Sequence, residues 1–145
     1  MNDRLLHPEI NFNHILPLQI RFSDFDTFGH VNNNSYMAFF DLGKMEYMGS
    51  MIDRNFNAAD VSAVIASINV DFLAPAVMGE QLDVRTAVTH LGERSFTLYQ
   101  RVVGSATGSV KAQATTVIVG FDIATQTSAP LRPLLADALS RDLKK

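Results

Sequence analysis

Apolar and polar residues alternate along one segment in the middle of the chain, residues 63–73. The apolar positions, at every second residue, are Val64, Ala66, Ile68, Val70 and Phe72. A period of two is typical of a β-strand with one face against a core. The segment is therefore predicted to be a strand whose apolar face contacts a helix.

Three further segments have the residue types of strands. They cover residues 81–91, 95–103 and 109–122, and turn-forming residues separate them at 91–94 and 104–108. Short turns join neighbouring strands in antiparallel order. We therefore predict that these segments and the strand at 63–73 form an antiparallel meander.

Apolar residues at helical spacing precede the strands, between residues 34 and 50. Those in the clearest register are Tyr36, Phe39, Phe40, Gly43 and Tyr47. Methionine and leucine spread apolar surface around the rest of the circumference, so a mostly buried helix wrapped by the sheet is predicted. Asp41 and Lys44 are three residues apart and are expected to pair on an exposed strip.

The ends of the chain carry weaker patterns. A short strand is predicted over residues 14–22, a loop over 123–133, and a short amphipathic helix from about residue 134. The chain has 145 residues, of which 47% are hydrophobic. That length and composition predict a single domain over residues 1–145.

Charge and cysteine content narrow the class of protein. The formal net charge is −3 and no basic block is visible, so nucleic acid is not expected as a partner. The chain has no cysteine, which excludes disulfides and thiolate nucleophiles. Charged residues interrupt the first 13 residues, and no apolar run is long enough to cross a bilayer. We expect a cytoplasmic protein without a membrane segment.

The residues with the clearest chemistry lie just before the predicted helix. Asp24, Asp26, Gly29 and His30 precede the asparagine cluster 32–34. A carboxylate there can act as a base or nucleophile, and the free N–H groups of the first helical turn can stabilise an oxyanion. This arrangement favours acyl chemistry, although an Asx turn or a helix cap is the ordinary role of such residues.

Metal sites and a serine nucleophile do not fit the sequence. The loop from Asp24 has calcium-loop residues at its first, third and sixth positions. Its fifth position is Phe28, where a side-chain oxygen ligand is needed, and its twelfth is Ser35, where a bidentate glutamate is needed. The histidines, His7, His14, His30 and His90, lack close helical ligand spacing. No Gly-x-Ser-x-Gly elbow occurs. We expect neither a metal nor a cofactor.

The motif Asp24-x-Asp26-x-x-Gly29-His30-Val31-Asn32-Asn33, followed by Tyr36 and Phe39-Phe40-Asp41, carries a resemblance to a known family. Over about residues 16–122 the chain resembles hot-dog-fold thioesterases of the 4-hydroxybenzoyl-CoA thioesterase type. The resemblance implies an α+β fold in which a five-stranded antiparallel sheet wraps a long central helix. Asparagines stand where the aromatic-acyl enzyme has aromatic residues, so the broader Gly-His-Val-Asn subgroup of acyl-CoA thioesterases is the better match.

Roles for particular residues follow from the resemblance alone. Asp26 corresponds to the nucleophile or general base, and a backbone N–H near Asn33 to the group that polarises the thioester carbonyl. His30 is included among the catalytic candidates, either as acid or base or as a residue that orients the loop. The substrate-binding candidates are Asn32, Tyr36, Arg94 and Ser95. The alternative role of Tyr36 is packing in the core, and the alternative role of Arg94 is that of a solvated charge in a turn.

The resemblance also implies partners and alternatives. The family places its site at a dimer interface, so a homodimer or homotetramer that acts on acyl-CoA is expected, with an acyl-carrier-protein thioester as the other carrier. Two other functions stay open at this point. One is a noncatalytic hot-dog protein that binds acyl-CoA, and the other is a hot-dog dehydratase or hydratase.

Overall fold

The computed structural model describes residues 10–52 and 57–143, and a six-stranded antiparallel sheet with one long helix organises them. The strands are β1 His14–Pro17, β2 Ala63–Phe72, β3 Leu82–Leu91, β4 Ser95–Gly104, β5 Val110–Asp122 and β6 Thr127–Ser128. The helices are α1 Asn33–Met51, α2 Ala58–Val61 and α3 Pro133–Leu143, and a 3₁₀ turn covers Phe22–Asp24. His7 lies outside the described residues.

The strand order is β1-β3-β4-β5-β2, and β6 pairs with β5. The predicted meander is therefore right for β3 to β5 but wrong for β2, which pairs with β5 and not with β3. The segment 73–81 between β2 and β3 contains Pro75 and Gly79, so it forms a crossover and not a tight hairpin. The prediction of five strands is also wrong, because residues 127–128, expected in a loop, pair with the end of β5.

The alternation of apolar residues along β2 is broken by a bulge between Ile65 and Ser67. One extra residue in a strand reverses which side chains share a face. As a result Ile65 and Ile68 line the same cavity beside α1, although the sequence pattern placed them on opposite faces. The same pattern predicted a buried face, but Val64, Ile65 and Ile68 are all exposed because β2 is an edge strand.

Helix α1 packs on the sheet through one side only. Gly43 allows its close approach, since an added Cβ would lie 2.8 Å from both methyl groups of Val84. The opposite side is open: Leu42 is 47% exposed and Met45 55% exposed. The prediction of a mostly buried helix is therefore right for the side that faces the sheet and wrong for the opposite side.

The remaining elements close the two ends of the sheet. The amphipathic terminal helix is confirmed as α3, which buries Leu135, Ala138 and Leu139. The first strand ends at Pro17, earlier than predicted, and the chain then turns through the 3₁₀ segment towards α1. No helix in the described ranges is long and apolar enough to span a membrane.

Candidate active site

The loop that precedes α1 is built around the carboxylate of Asp26. Its Oδ1 accepts hydrogen bonds from the N–H groups of Phe28 at 2.9 Å and His30 at 3.2 Å. Gly29 has φ +76°, a left-handed conformation that glycine adopts without strain. The turn role expected of an aspartate here is thus present. It uses Oδ1, while Oδ2 makes no hydrogen bond to the described residues.

The start of α1 carries an N–H group without an acceptor. Asn32 is the N-cap, and its Oδ1 accepts from the N–H of Ser35 at 2.8 Å. Helix α1 thus begins at Asn33, one residue earlier than predicted. The Asn33 N–H has no hydrogen-bond acceptor among the described residues, so it is one of the donors that a helix start leaves for a ligand.

Asp24 has a different environment from Asp26. It is buried, accepts from the Arg21 N–H at 2.7 Å and the Ser35 hydroxyl at 2.8 Å, and lies 3.4 Å from the Arg21 guanidinium. Asp24 therefore forms an ion pair with Arg21. Burial alone would raise the pKa of Asp24, but these hydrogen bonds and the Arg21 charge outweigh it and hold the pKa below its ordinary value.

One cavity of about 310 Å³ brings most of the candidates together. Its walls include Asp26, His30, Asn33, Tyr36 and Phe72. The backbone of His30 fixes the loop, since its carbonyl accepts from the Asp26 N–H at 2.8 Å and an isolated bridge joins it to Val77. The imidazole of His30 makes no hydrogen bond to any described side chain.

Tyr36 is buried at the inner wall of this cavity. Its ring lies 5.5 Å from that of Phe72, and its hydroxyl has no hydrogen-bond partner among the described groups. Burial, with the charge of Glu80 adding to it, raises the pKa of Tyr36 to about 12. The phenol is therefore neutral at physiological pH.

Arg94 and Ser95 lie at the other end of the sheet from this cavity. Ser95 pairs through Val119 with Val64 at the start of β2, whereas Phe72, in the cavity, is at its end. The strand rise over those positions corresponds to about 25 Å. Arg94 is exposed and donates to the Ser128 carbonyl at 3.2 Å. Within one chain, these two candidates are not brought to Asp26.

One part of the cavity wall was not predicted by any sequence motif. Leu73, Ala74 and Pro75 follow β2 and line the cavity. The Lys111 ammonium lies 2.9 Å from Glu80 Oε2 and donates to the Pro75 carbonyl at 3.3 Å, which holds this segment in place. The proline after an apolar strand was the available sequence signal. In the described ranges, no group of three or more histidine, aspartate or glutamate side chains is arranged to hold a metal ion.

The fold and the cavity define a class of protein, the hot-dog-fold thioester hydrolases. The chain belongs to the thioesterase-like superfamily, whose sequence profile matches residues 20–139. This confirms the resemblance drawn from the Asp24–Asn33 motif.

Similar proteins include two curated relatives from Escherichia coli. The long-chain acyl-CoA thioesterase FadM of strain K12 is 25% identical over 128 residues, which cover 88% of this chain and 97% of that protein. The acyl-CoA thioester hydrolase YbgC of strain CFT073 is 26% identical over 108 residues, 73% of this chain and 80% of that one.

Solved structures share the fold. A thioesterase from Thermus thermophilus, complexed with coenzyme A and zinc, has a TM-score of 0.80 and 24% identity, with 92% of this chain and 96% of that one covered. The 1,4-dihydroxy-2-naphthoyl-CoA thioesterase Slr0204 from Synechocystis has a TM-score of 0.78 and 21% identity, with 91% and 98% covered. The α+β hot-dog architecture is thereby confirmed.

Proposed function

We propose that the protein hydrolyses acyl-CoA thioesters to a free acid and CoA, with Asp26 as the reacting carboxylate. The observation that carries this proposal is the cavity whose lining includes both Asp26 and Asn33, the latter with no acceptor for its N–H among the described residues. An acid or base beside a pre-aligned donor is what acyl transfer to water requires. The curated relatives FadM and YbgC, named for acyl-CoA hydrolysis, support the substrate class.

Two reaction courses fit the carboxylate. As a general base, Asp26 takes a proton from water, the water oxygen bonds to the thioester carbon, and the C–S bond breaks as the sulfur receives the proton. As a nucleophile, Asp26 bonds to the carbon, expels CoA thiolate and leaves a mixed anhydride that water then hydrolyses. In both courses negative charge develops on the carbonyl oxygen, where the Asn33 N–H donates. We assign His30 a positioning role, because its backbone fixes the Asp26 turn.

A single turnover in ¹⁸O-labelled water reveals the nucleophilic course when water opens the anhydride at the Asp26 carbonyl, whereas opening at the acyl carbonyl labels the acid as direct attack does. Direct attack by water places the label in the product acid during the first turnover. An anhydride opened at the Asp26 carbonyl leaves the label in Asp26 and unlabelled oxygen in the acid. Mass spectrometry measures the ¹⁸O content of the product acid and of the peptide that contains Asp26.

We also propose that a second copy completes the site through β2. One edge of this ten-residue strand pairs with no other strand in the described part of the chain, and Val64, Ile65 and Ile68 are exposed beside the open side of α1. Such an apolar edge strand is a template for pairing with another chain. Antiparallel pairing of two β2 strands places the start of one beside the end of the other. Arg94 and Ser95 of the second copy then approach Asp26, where the planar guanidinium group of Arg94 can make bidentate contacts to the phosphates of CoA.

Hydrolysis of a thioester panel tests the function. The purified protein is given acyl-CoA and acyl-carrier-protein thioesters of increasing length, and free thiol is measured. We expect release from acyl-CoA and its loss in Asp26→Asn. Tight binding without thiol release would favour the noncatalytic alternative, and hydration of an enoyl-CoA would favour a hydratase. The cytoplasmic location stays a prediction from the sequence.

A further inference from the structure

Three cavities lie beside α1; the second and third share lining residues, and the first and second share none. The first is the Asp26 cavity, which has Tyr36 and Phe72 in its wall. The second, of about 310 Å³, begins at the next helical residue, Met37, and includes Ile68, four residues before Phe72 in β2. The third, of about 210 Å³, extends to Met48. The α1 residues of the three cavities run from Asn33 to Met48, a span of fifteen helical steps or ~22 Å at the helical rise.

Lys44 and Ile65 are the residues common to the second and third cavities. They approach from opposite sides, one from α1 and the other from β2. The Lys44 side chain is only 17% exposed, and its Nζ lies 2.9 Å from Oδ1 of Asp41. The predicted ion pair is therefore present, but the lysine stem lies in the groove and not on an exposed strip.

The chemistry of the groove changes on the two sides of this pair. Before it, the second cavity contains the polar side chains of Gln100 and Thr116 as well as Asp41. Beyond it, the third cavity has an apolar lining apart from Lys44 itself. Its other residues are Met45, Met48, Val61, Ala63, Ile65, Phe96 and Ile118. A chain that passes Lys44 would thus gain apolar burial that a shorter chain does not reach.

We propose that Lys44 and Ile65 form a wall that sets the length of acyl chain the groove accepts. The inference rests on the proposed function, because it takes the acyl group to enter from the Asp26 cavity. The aliphatic stem of Lys44, held by its pairing with Asp41, blocks the passage, while its ammonium disfavours burial of a methyl end beside it. Shorter chains fill the second cavity, and longer ones gain nothing by further extension.

Binding of non-hydrolysable S-alkyl-CoA thioethers, from butyl to octadecyl, tests the wall without catalysis. Isothermal titration of the full-length protein should show affinity that rises up to about fourfold per added methylene and then levels off. In Lys44→Ala and in Ile65→Ala the rise should continue to longer chains. Lys44→Met keeps most of the stem but removes the ammonium and its pairing with Asp41, so its limit should lie between those of wild type and Lys44→Ala. Leu42→Ala, at an exposed α1 residue that lines none of the three cavities, should keep the wild-type limit.

The same series measured as acyl-CoA hydrolysis separates this proposal from the function. If thioethers show the shifted limit but no thioester is hydrolysed, the wall is supported and the enzyme function fails. If hydrolysis occurs and Lys44→Ala and Ile65→Ala both keep the wild-type length limit, the wall is overturned. A wild-type affinity that rises without a limit up to octadecyl also overturns it.

Discussion

The Ser35 hydroxyl donates a buried 2.8 Å hydrogen bond to Oδ1 of Asp24, which joins the 3₁₀ turn to the first turn of α1. This contact gives the two aspartates of the motif separate tasks. Asp24 accepts hydrogen bonds from several donors and holds the loop, whereas Asp26 lines the cavity and its Oδ2 has no hydrogen-bond partner among the described residues.

Asp24→Asn should therefore reduce stability more than chemistry. An amide cannot accept at both oxygens, so we expect a loss of about 1–3 kcal/mol in the free energy of unfolding. The pKa of Asp24 is lowered in the folded state, so its contribution is full above the unfolded value of about 3.8 and is lost as pH falls through the folded pKa. Urea unfolding at several pH values should show the gap between wild type and variant shrink below pH ~4. A gap that grows there would contradict this role.

Asn33→Pro tests the backbone donor directly. Asn33 is the first residue of α1, where proline is tolerated, and Asn32 has φ −80° and ψ 162°, a conformation that suits the residue before proline. The variant should fold and lose the N–H, with turnover reduced about 10²–10³-fold.

Asn33→Ala is the matched control for that variant, since it keeps the N–H and removes only the side chain. We expect turnover within a few-fold of wild type. Circular dichroism and thermal unfolding confirm the fold of both proteins. Equal turnover in the proline and alanine variants would exclude the Asn33 N–H as the oxyanion donor.

Mixed dimers test whether Arg94 acts across copies. Asp26→Asn and Arg94→Ala should each have low activity at subsaturating acyl-CoA. When the two variants are co-expressed with different tags and the mixed dimer is isolated, one of its sites combines wild-type Asp26 with wild-type Arg94. That dimer should be more active than either parent.

If the activity of the mixed dimer equals the average of the two parent variants, Arg94 does not act in the site of the other subunit. Sedimentation of Val64→Lys provides the companion measurement, because a lysine on the β2 edge should weaken pairing of two strands. An unchanged dimer in this variant would contradict the β2 interface.

Gly43→Ala should destabilise the protein through the close contact of α1 with β3. A Cβ at residue 43 would lie 2.8 Å from both Val84 methyl groups, and overpacking of this kind costs about 1–3 kcal/mol. Chemical denaturation measures the change. Val84→Ala in the same background should recover part of the loss, whereas an additive further loss would contradict the contact.

Local pattern predicted much of the fold. The spacing of Phe39, Phe40 and Tyr47 located α1, and period-two segments and turn residues located β3, β4 and β5 within a residue or two. The pairing partner of β2 could not be read in this way, since it depends on a crossover and not on local spacing. The bulge at residue 66 also has no local signature, and it moved Ile65 to the helix side of the sheet.

The site was predictable where chain neighbours form it and less so where distant segments meet. Asp26, His30 and Asn33 lie within eight residues, so a single loop brings them to one cavity. Residues 73–75 join that cavity only through tertiary packing. The single chain also leaves Arg94 at the far end of the sheet, where a role in the site requires the symmetry of an assembly.

The most direct measurement of the central claim is the kcat of Asp26→Asn against wild type on the best acyl-CoA of the panel. Asparagine keeps the size of the side chain and an acceptor for the N–H groups of Phe28 and His30, but it is neither a base nor a nucleophile. With unfolding curves matched, we predict a fall in kcat of at least about 10²-fold. An Asp26→Asn protein that hydrolyses this thioester at the wild-type rate would contradict the assignment.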